Sequence, residues 1–448
     1  MKNYIWIVVL LAMGFNAKAQ ENVLSKNEAI TLALEQNFGI KVAENTVEIA
    51  DNNQDILNSG FLPTLTGTAN ASFAEDNNTI EFPGQVDDNG NPRPDVEINN
   101  AETKRYGAGF NLNYTLFDGL GRTYNYKRLK EQYQLTELQA RETIQSTILQ
   151  LLSIYFEVAR LSENEYAQKE ALEVSKDRIE RAQYAFEYGQ NTQLDVLNAE
   201  VDVTNDSIIL LNTQQLLQNT KRDLNVVLNQ DLMVDYEVDT LINFIPMLEI
   251  QAMIDDVSLN NLAILQTERN LAINEYDIKV SKSGYLPVIG LTGSYGWNLN
   301  QNPASAFFPG TLNNNQNFTV GAGFTWNLFD GGNTITRVRN AKIVYENQEL
   351  LKKQVELEVA RDIQNALETY ENRLTIYEIQ EKAVITNQNN FERSREQYQL
   401  GRITSIQFRQ AQINLLTAQT TKNLAKYDAK LAELQLLDLT GQLLNVDF

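Results

Sequence analysis

The sequence contains no cysteine and no histidine. Without thiols there are no disulfides, no thiolate nucleophile and no lipid-bearing N-terminal cysteine. Without imidazole the chain lacks the usual base of hydrolytic triads and the commonest ligand of transition metals. Basic residues are in deficit too: 37 Lys and Arg stand against 58 Asp and Glu, a net charge of −21. Neutralising phosphates requires the opposite balance, so nucleic acid is not an expected partner. Beyond the N-terminus no run approaches the ~20 apolar residues of a membrane-spanning helix. No carboxylate pair sits with a glycine-rich phosphate loop or a metal-ligand cluster, so no enzyme, cofactor or metal centre is expected. The acidic residues are spread along the helical stretches, which suits a solvated helix surface or a passage whose walls favour cations.

What is present begins with a processing signal. Lys2, the apolar stretch Tyr4 to Phe15 and the small-x-small triplet Ala17-Lys18-Ala19 predict a cleaved secretory signal over residues 1–19.

The remainder is written twice. Leu116-Phe117-Asp118-Gly119 returns as Leu328-Phe329-Asp330-Gly331, and Ser59-Gly60-Phe61-Leu62-Pro63 as Ser283-Gly284-Tyr285-Leu286-Pro287. A duplication of this size makes half a chain the unit to interpret. The boundaries it predicts are a first repeat over 20–230 with a β-hairpin at 61–117, and a connecting segment over 231–254. A second repeat follows over 255–440 with a hairpin at 285–329, then a tail over 441–448.

Four segments carry no charge: Phe61–Ala74, Tyr106–Phe117, Tyr285–Asn298 and Phe318–Phe329, in a chain that is 21% charged. Their period is two, that of a strand. On the second, Tyr106, Phe110, Leu112 and Tyr114 oppose Gly107, Gly109, Asn111 and Asn113. On the fourth, Phe318, Val320, Phe324 and Trp326 oppose Thr319, Gly321, Gly323 and Asn327. A soluble sheet would place Lys and Glu outside; a small, uncharged polar face opposite an aromatic one fits an outer-membrane barrel wall. Phe110, Leu112, Phe324 and Trp326 are therefore expected to face lipid. Glu75–Arg105 and Leu299–Asn317, rich in Asn, read as outer loops. Four strands cannot close a barrel, and open edges in hydrocarbon would leave unpaired amides, so several copies must share one cylinder of eight, twelve or sixteen strands.

Arg122–Tyr188 and Asn333–Leu400 contain no glycine or proline and predict helices ~100 Å long. Shorter return arms follow over Gln190–Asn229 and Arg402–Thr440, and single runs over Ser25–Ser59 and Asp255–Ser283 lead into the strands. Heptad spacing at Ile144, Ile148, Leu151, Tyr155 and Val158, and again at Leu194, Leu197, Val201, Ile208 and Leu211, predicts packing between antiparallel neighbours. At the tips, Gly189 and Gly401 end one helix while Thr192 and Thr404 can cap the next. Gly189, Thr192, Asp195, Gly401, Arg402 and Thr404 are the candidates for an entrance gate.

In the order of its duplicated motifs, the chain resembles the TolC-like outer membrane efflux family (outer membrane factors) over essentially its whole mature length. The paired Gly-Phe/Tyr-Leu-Pro and Leu-Phe-Asp-Gly motifs, the two glycine tips and Gln193-Leu194-Asp195-Val196-Leu197-Asn198-Ala199 carry the resemblance. It implies an α+β membrane protein of duplicated helix–hairpin–long helix–helix lobes. These would form a homotrimer whose 12-stranded transmembrane β-barrel continues into a 12-helix periplasmic α-barrel. It also implies a passive exit duct for small molecules or proteins in an efflux or type I secretion system, embedded in outer membrane lipid. Its partners would be a periplasmic adaptor (membrane fusion) protein and an inner-membrane pump of the RND or ABC type. Segment 231–253 and the tail would form a belt. Asp195 matches an acidic position of the family's entrance, whereas Gln407 and Gln410 stand where better-known members carry aspartates, with Arg409 between them. The alternative class is a periplasmic coiled-coil tether anchored in the outer membrane without a through-channel.

Overall fold

The structure, a computed structural model, describes residues 23–305 and 308–446. The expected signal at 1–19 lies outside the described residues. The described chain forms two compact units, each drawing on both copies of the duplication. One comprises residues 23–48, 135–268 and 350–446, the other 49–134 and 269–349.

The second unit is built on a sheet. Strands β2 (Thr64–Ile80), β3 (Val96–Asp118), β5 (Val288–Asn302) and β6 (Thr311–Thr325) pair antiparallel in the order β2-β3-β5-β6. Register sets Gly67, Phe110, Tyr295 and Phe318 in one cross-strand row, so the apolar residues of all four strands share one face. The strands outrun the uncharged segments at the hairpin ends. Asp76 still pairs with Ala101 and Asn302 with Thr311, where loops were expected. A ladder pairs through the backbone and tolerates charged side chains, so the extent of a charge-free run underestimates strand length.

Below the sheet both Leu-Phe-Asp-Gly motifs turn the chain into a long helix by the same device. Asp118 Oδ2 accepts the Arg122 backbone N–H at 2.9 Å, and Asp330 Oδ2 accepts that of Thr334 at 2.8 Å. Gly119 has φ +69°, and a Cβ there would lie 2.5 Å from the Ser283 carbonyl oxygen. No other residue fits without moving that backbone.

The helices are α1 (Lys26–Gln36), α2 (Phe38–Gln54), α3 (Gly121–Glu187) and α4 (Gln193–Leu228). Then come α5 (Met247–Asp255), α6 (Val257–Asn260), α7 (Leu262–Ser283), α8 (Asn333–Gln399) and α9 (Ser405–Leu439). Both long helices hold 67 residues. The expected single run 25–59 is broken at Asn37 and its helix stops at Gln54, and the run 255–283 is interrupted at Asp256 and broken at Asn261. Asn37 Oδ1 accepts Gly39 N–H at 2.8 Å while Nδ2 donates to the Val227 carbonyl at 2.9 Å. Asn261 Oδ1 accepts Ile264 N–H at 3.0 Å and Nδ2 donates to Leu439 at 2.7 Å. The two joints are repeat equivalents: one amide caps the helix that follows and satisfies an orphan carbonyl near the end of another.

In the first unit the core seam of α3 is the expected one: Ile148, Leu151, Tyr155 and Val158 are buried. On α4 the heptad stripe is not the core. Leu194 and Leu211 are each 63% exposed, and Ala199, Asp206, Leu210, Leu217 and Leu224 pack inward instead. The helix carries two apolar stripes, and a single copy covers the one with the smaller and more polar side chains.

A strap, residues 239–245, crosses this unit without regular partners, and side chains supply the missing donors. Lys426 Nζ reaches the Thr240 carbonyl (2.8 Å), Lys26 that of Leu241 (2.8 Å) and Lys430 that of Asn243 (2.9 Å). Glu433 Oε2 accepts the Ile245 N–H at 2.9 Å. Tyr155 donates to the Leu24 carbonyl at 2.6 Å and accepts from Asp239 N–H at 2.9 Å. Burial pushes its phenol up to about 12, so it serves as a neutral donor across physiological pH. Beside the strap, β1 (Val23–Leu24) pairs parallel with β4 (Glu237–Val238). The tail closes on the same unit through Leu443, which is fully buried.

Candidate functional site

The two tips are built alike. Gly189 (φ +72°) and Gly401 (φ +69°) adopt the left-handed conformation that ends each long helix. The Gln190 N–H returns to the Ala185 carbonyl at 2.7 Å, and the Arg402 N–H to that of Gln397 at 2.9 Å. Asp195 Oδ2 accepts the Thr192 N–H at 3.0 Å. Gln407 Oε1 accepts the Thr404 N–H at 3.0 Å, and Thr404 Oγ1 accepts the Gln407 N–H at 3.3 Å. Gly189, Thr192, Gly401, Arg402 and Thr404 are exposed, and Asp195 is half-buried. The candidate gate residues thus sit at the surface of the tips within one copy.

Behind the tips lies a buried charge network that the sequence reading did not assemble. Arg409 on α9 makes a two-pronged pair with Asp206 on α4: Nη1 to Oδ2 and Nη2 to Oδ1, both 2.7 Å. Arg178 on α3 donates to Asp202 of α4 at 2.8 Å and to Ser405 of α9 at 3.2 Å. Ser175 donates to Asp206 at 2.6 Å, and Gln412 Nε2 donates to Ser175 Oγ at 2.9 Å and to the Ala171 carbonyl at 2.6 Å. Arg178 and Gln412 are each 3% exposed and Asp206 4%, while the Arg409 and Asp202 side chains keep 14% and 23% of their surface open, so water reaches only one edge of the two cations and two anions that compensate each other. Burial works against the Arg409 charge, yet the hydrogen bond to Asp206 and the charges of Asp206 and Asp202 hold its pKa above the ordinary value. An apolar plug adjoins the network: Phe408 stacks on Phe391 with centroids 5.5 Å apart and on Tyr398 at 5.0 Å.

The network joins α3, α4 and α9, about 14 Å before the end of α3 at 1.5 Å per residue. A signal for it existed. Asp202 and Asp206 fall on the stripe of Ala199 and Leu210, where a plain coiled coil would carry apolar side chains, and Arg409 interrupts the apolar spacing of α9.

On the other unit, Phe110, Leu112, Phe324 and Trp326 are all exposed, and register puts the first three on the sheet's apolar face. Trp326 lies just past β6, its indole N–H donating to the Tyr285 carbonyl at 3.1 Å. Among the described residues there is no metal-binding group of carboxylates, and no helix is long and apolar enough to cross a membrane.

The chain is similar to outer membrane protein TolC of Vibrio cholerae, 24% identical over 355 residues, which is 77% of this chain and 79% of that protein. It is similar to outer membrane efflux protein BepC of Brucella suis, 21% identical over 423 residues covering 93% and 85%. Its fold matches the crystal structure of the Campylobacter jejuni CmeC outer membrane channel with a TM-score of 0.73 and 20% identity, over 93% and 86% of the two chains. The outer membrane efflux protein family model matches residues 29–230 and 253–442. A match across both repeats, on a fold of paired hairpins and paired long helices, places this chain in the TolC-like outer membrane efflux protein family.

Proposed function

We propose that the chain is the passive exit duct of a tripartite efflux or type I secretion system, working in the outer membrane as a closed homotrimer. The observation that carries this reading is the open sheet. Strands β2 and β6 each have one neighbour, and in hydrocarbon every unpaired amide costs several kcal/mol. Other copies of the chain supply the missing neighbours, and three copies give twelve strands. The uncovered stripe of α4 (Leu194, Leu197, Val201, Ile208 and Leu211) is the helical counterpart of those open edges. Both features are surfaces that further copies of the chain would cover.

The apolar face, including Phe110, Leu112 and Phe324, takes lipid; the Thr, Ser, Asn and Gly face lines the passage. The tips form the entrance, with Gly189, Thr192, Asp195, Gly401, Arg402 and Thr404 on its surface and the Arg178–Asp202–Asp206–Arg409 network holding α3, α4 and α9 in one arrangement behind them. A cleft of 520 Å³ near this network has an apolar floor of Ala171, Val174, Phe391 and Leu415 with Glu173 and Arg395 on its walls. A helical hairpin of the adaptor fits such a surface. In this reading the duct is passive and the driving energy belongs to the pump.

Purified protein in planar bilayers tests the proposal. A duct gives discrete conductance steps, and Asp206→Asn or Arg402→Glu alters their size or open probability. A membrane-anchored tether gives no steps in any variant.

A further inference from the structure

The apolar face of the sheet changes character in ordered rows toward its hairpin ends. Leu65, Leu112, Gly293 and Val320 form one row, and Gly67, Phe110, Tyr295 and Phe318 the next. Beyond them Ala69, Ala108, Trp297 and Gln316 align, then Ala71, Tyr106, Leu299 and Asn314, then Phe73, Lys104, Gln301 and Leu312. An apolar band thus leads into an aromatic row, and each of the three rows beyond it adds one primary amide (Gln316, Asn314, Gln301) among residues that stay largely apolar, with a single cation. Rings at the edge of a hydrocarbon band are an ordinary interfacial belt. Amides on the outward side of the same face are not. A residue there meets headgroups, and a Lys or Arg would meet phosphates most cheaply.

The chemistry of the rim is specific. The Trp297 indole donates to Asn314 Oδ1 at 2.8 Å, and the Tyr295 hydroxyl lies 3.5 Å from Gln316 Oε1. With each carboxamide oxygen turned to a ring, its two N–H donors are left for an outside acceptor. The only cation of the rim, Lys104, is paired with Glu102 at 2.7 Å, and the next row outward sets Glu75 against Glu102. Such a surface repels phosphate. An aromatic ring beside paired amides suits a hydroxylated ring instead, which offers C–H faces to the aromatic system and O–H groups to the amides.

We propose that Trp297, Asn314, Gln316 and Gln301 form a binding rim for the saccharide headgroup of an outer-leaflet glycolipid. This inference rests on the reading of the apolar face as lipid-facing, and its test separates the two. The full chain is assembled into nanodiscs containing a diglucosyl diacylglycerol, phosphatidylglycerol and phosphatidylethanolamine with identical acyl chains, and the lipid retained after detergent exchange is measured by mass spectrometry. Two directed hydrogen bonds predict roughly a five- to tenfold enrichment of the sugar lipid over its bulk share. The double variant Asn314→Leu, Gln316→Leu loses the enrichment, and Asn314→Gln keeps it. Equal retention of the three lipids by the parent protein, enrichment of the anionic phospholipid, or full retention by the double variant each overturns the proposal. Because the chain has no cysteine, Val320→Cys carries a single fluorophore in the middle of the band. Quenching by brominated lipid without sugar enrichment rejects the glycolipid rim alone. Absence of quenching rejects the lipid-facing reading and the rim with it.

Discussion

Arg409 and Asp206 are where single side chains decide most. Their pair is two-pronged and nearly dry, so removing one member strands the other's charge, which typically costs ~3–5 kcal/mol. Arg409→Met is therefore expected to lower unfolding stability by about that amount, whereas Arg409→Met with Asp206→Leu recovers most of it. Denaturant titration of the detergent-solubilised protein measures both, and a single variant as stable as the parent contradicts the burial described here. At this scale the sequence was legible only in part. Gly189 and Gly401 announced themselves because a glycine between two helical runs has one common use, ending a helix. The network stayed hidden because its members come from three helices far apart in the chain, and nothing in the spacing says which acid meets which base.

The joints at Asn37 and Asn261 belong to the scale of elements. Sequence periodicity continued through both, since asparagine is a weak breaker and neither position has a proline beside it. What breaks the helix is tertiary: each amide finds a carbonyl on a distant helix, Val227 or Leu439, and then caps its own successor. Asn37→Ala is expected to destabilise the fold by about 1–2 kcal/mol, the sum of a lost cap and a stranded carbonyl. Asn261→Ala should cost a similar amount, and Asn261→Asp should keep the cap yet lose the donor bond. Amide hydrogen exchange at Gly39, Ile40 and Ile264 reads this locally; protection unchanged in both alanine variants would assign the break to something else. The long helices were legible almost to the residue because nothing interrupts them. The inner face of α4 was misread because the stronger of its two apolar stripes, the one beginning at Leu194, is the stripe a single copy leaves bare.

At the scale of the whole molecule, every uncovered feature asks for the same thing. The sheet has two unpaired edges, one face too apolar for water and the other too polar for lipid, and α4 keeps a row of large side chains outside. A monomer in a bilayer satisfies none of these, whereas the proposed closed ring of copies would satisfy all of them, and folding of the sheet and assembly of the ring would then be one thermodynamic event. The two faces then respond oppositely to one inserted charge. Val320→Lys places an ammonium near mid-depth on the apolar face, at ~2–4 kcal/mol per copy and therefore several times that per closed ring. In the proposed duct Thr319→Lys, its neighbour on the polar face, meets the water of the passage and costs little. Native mass spectrometry of detergent extracts should show the trimer retained for Thr319→Lys and largely lost for Val320→Lys. Equal trimer yield from the two variants would mean that the faces are assigned the wrong way round or that the sheet never meets lipid, and the duct would fall with either.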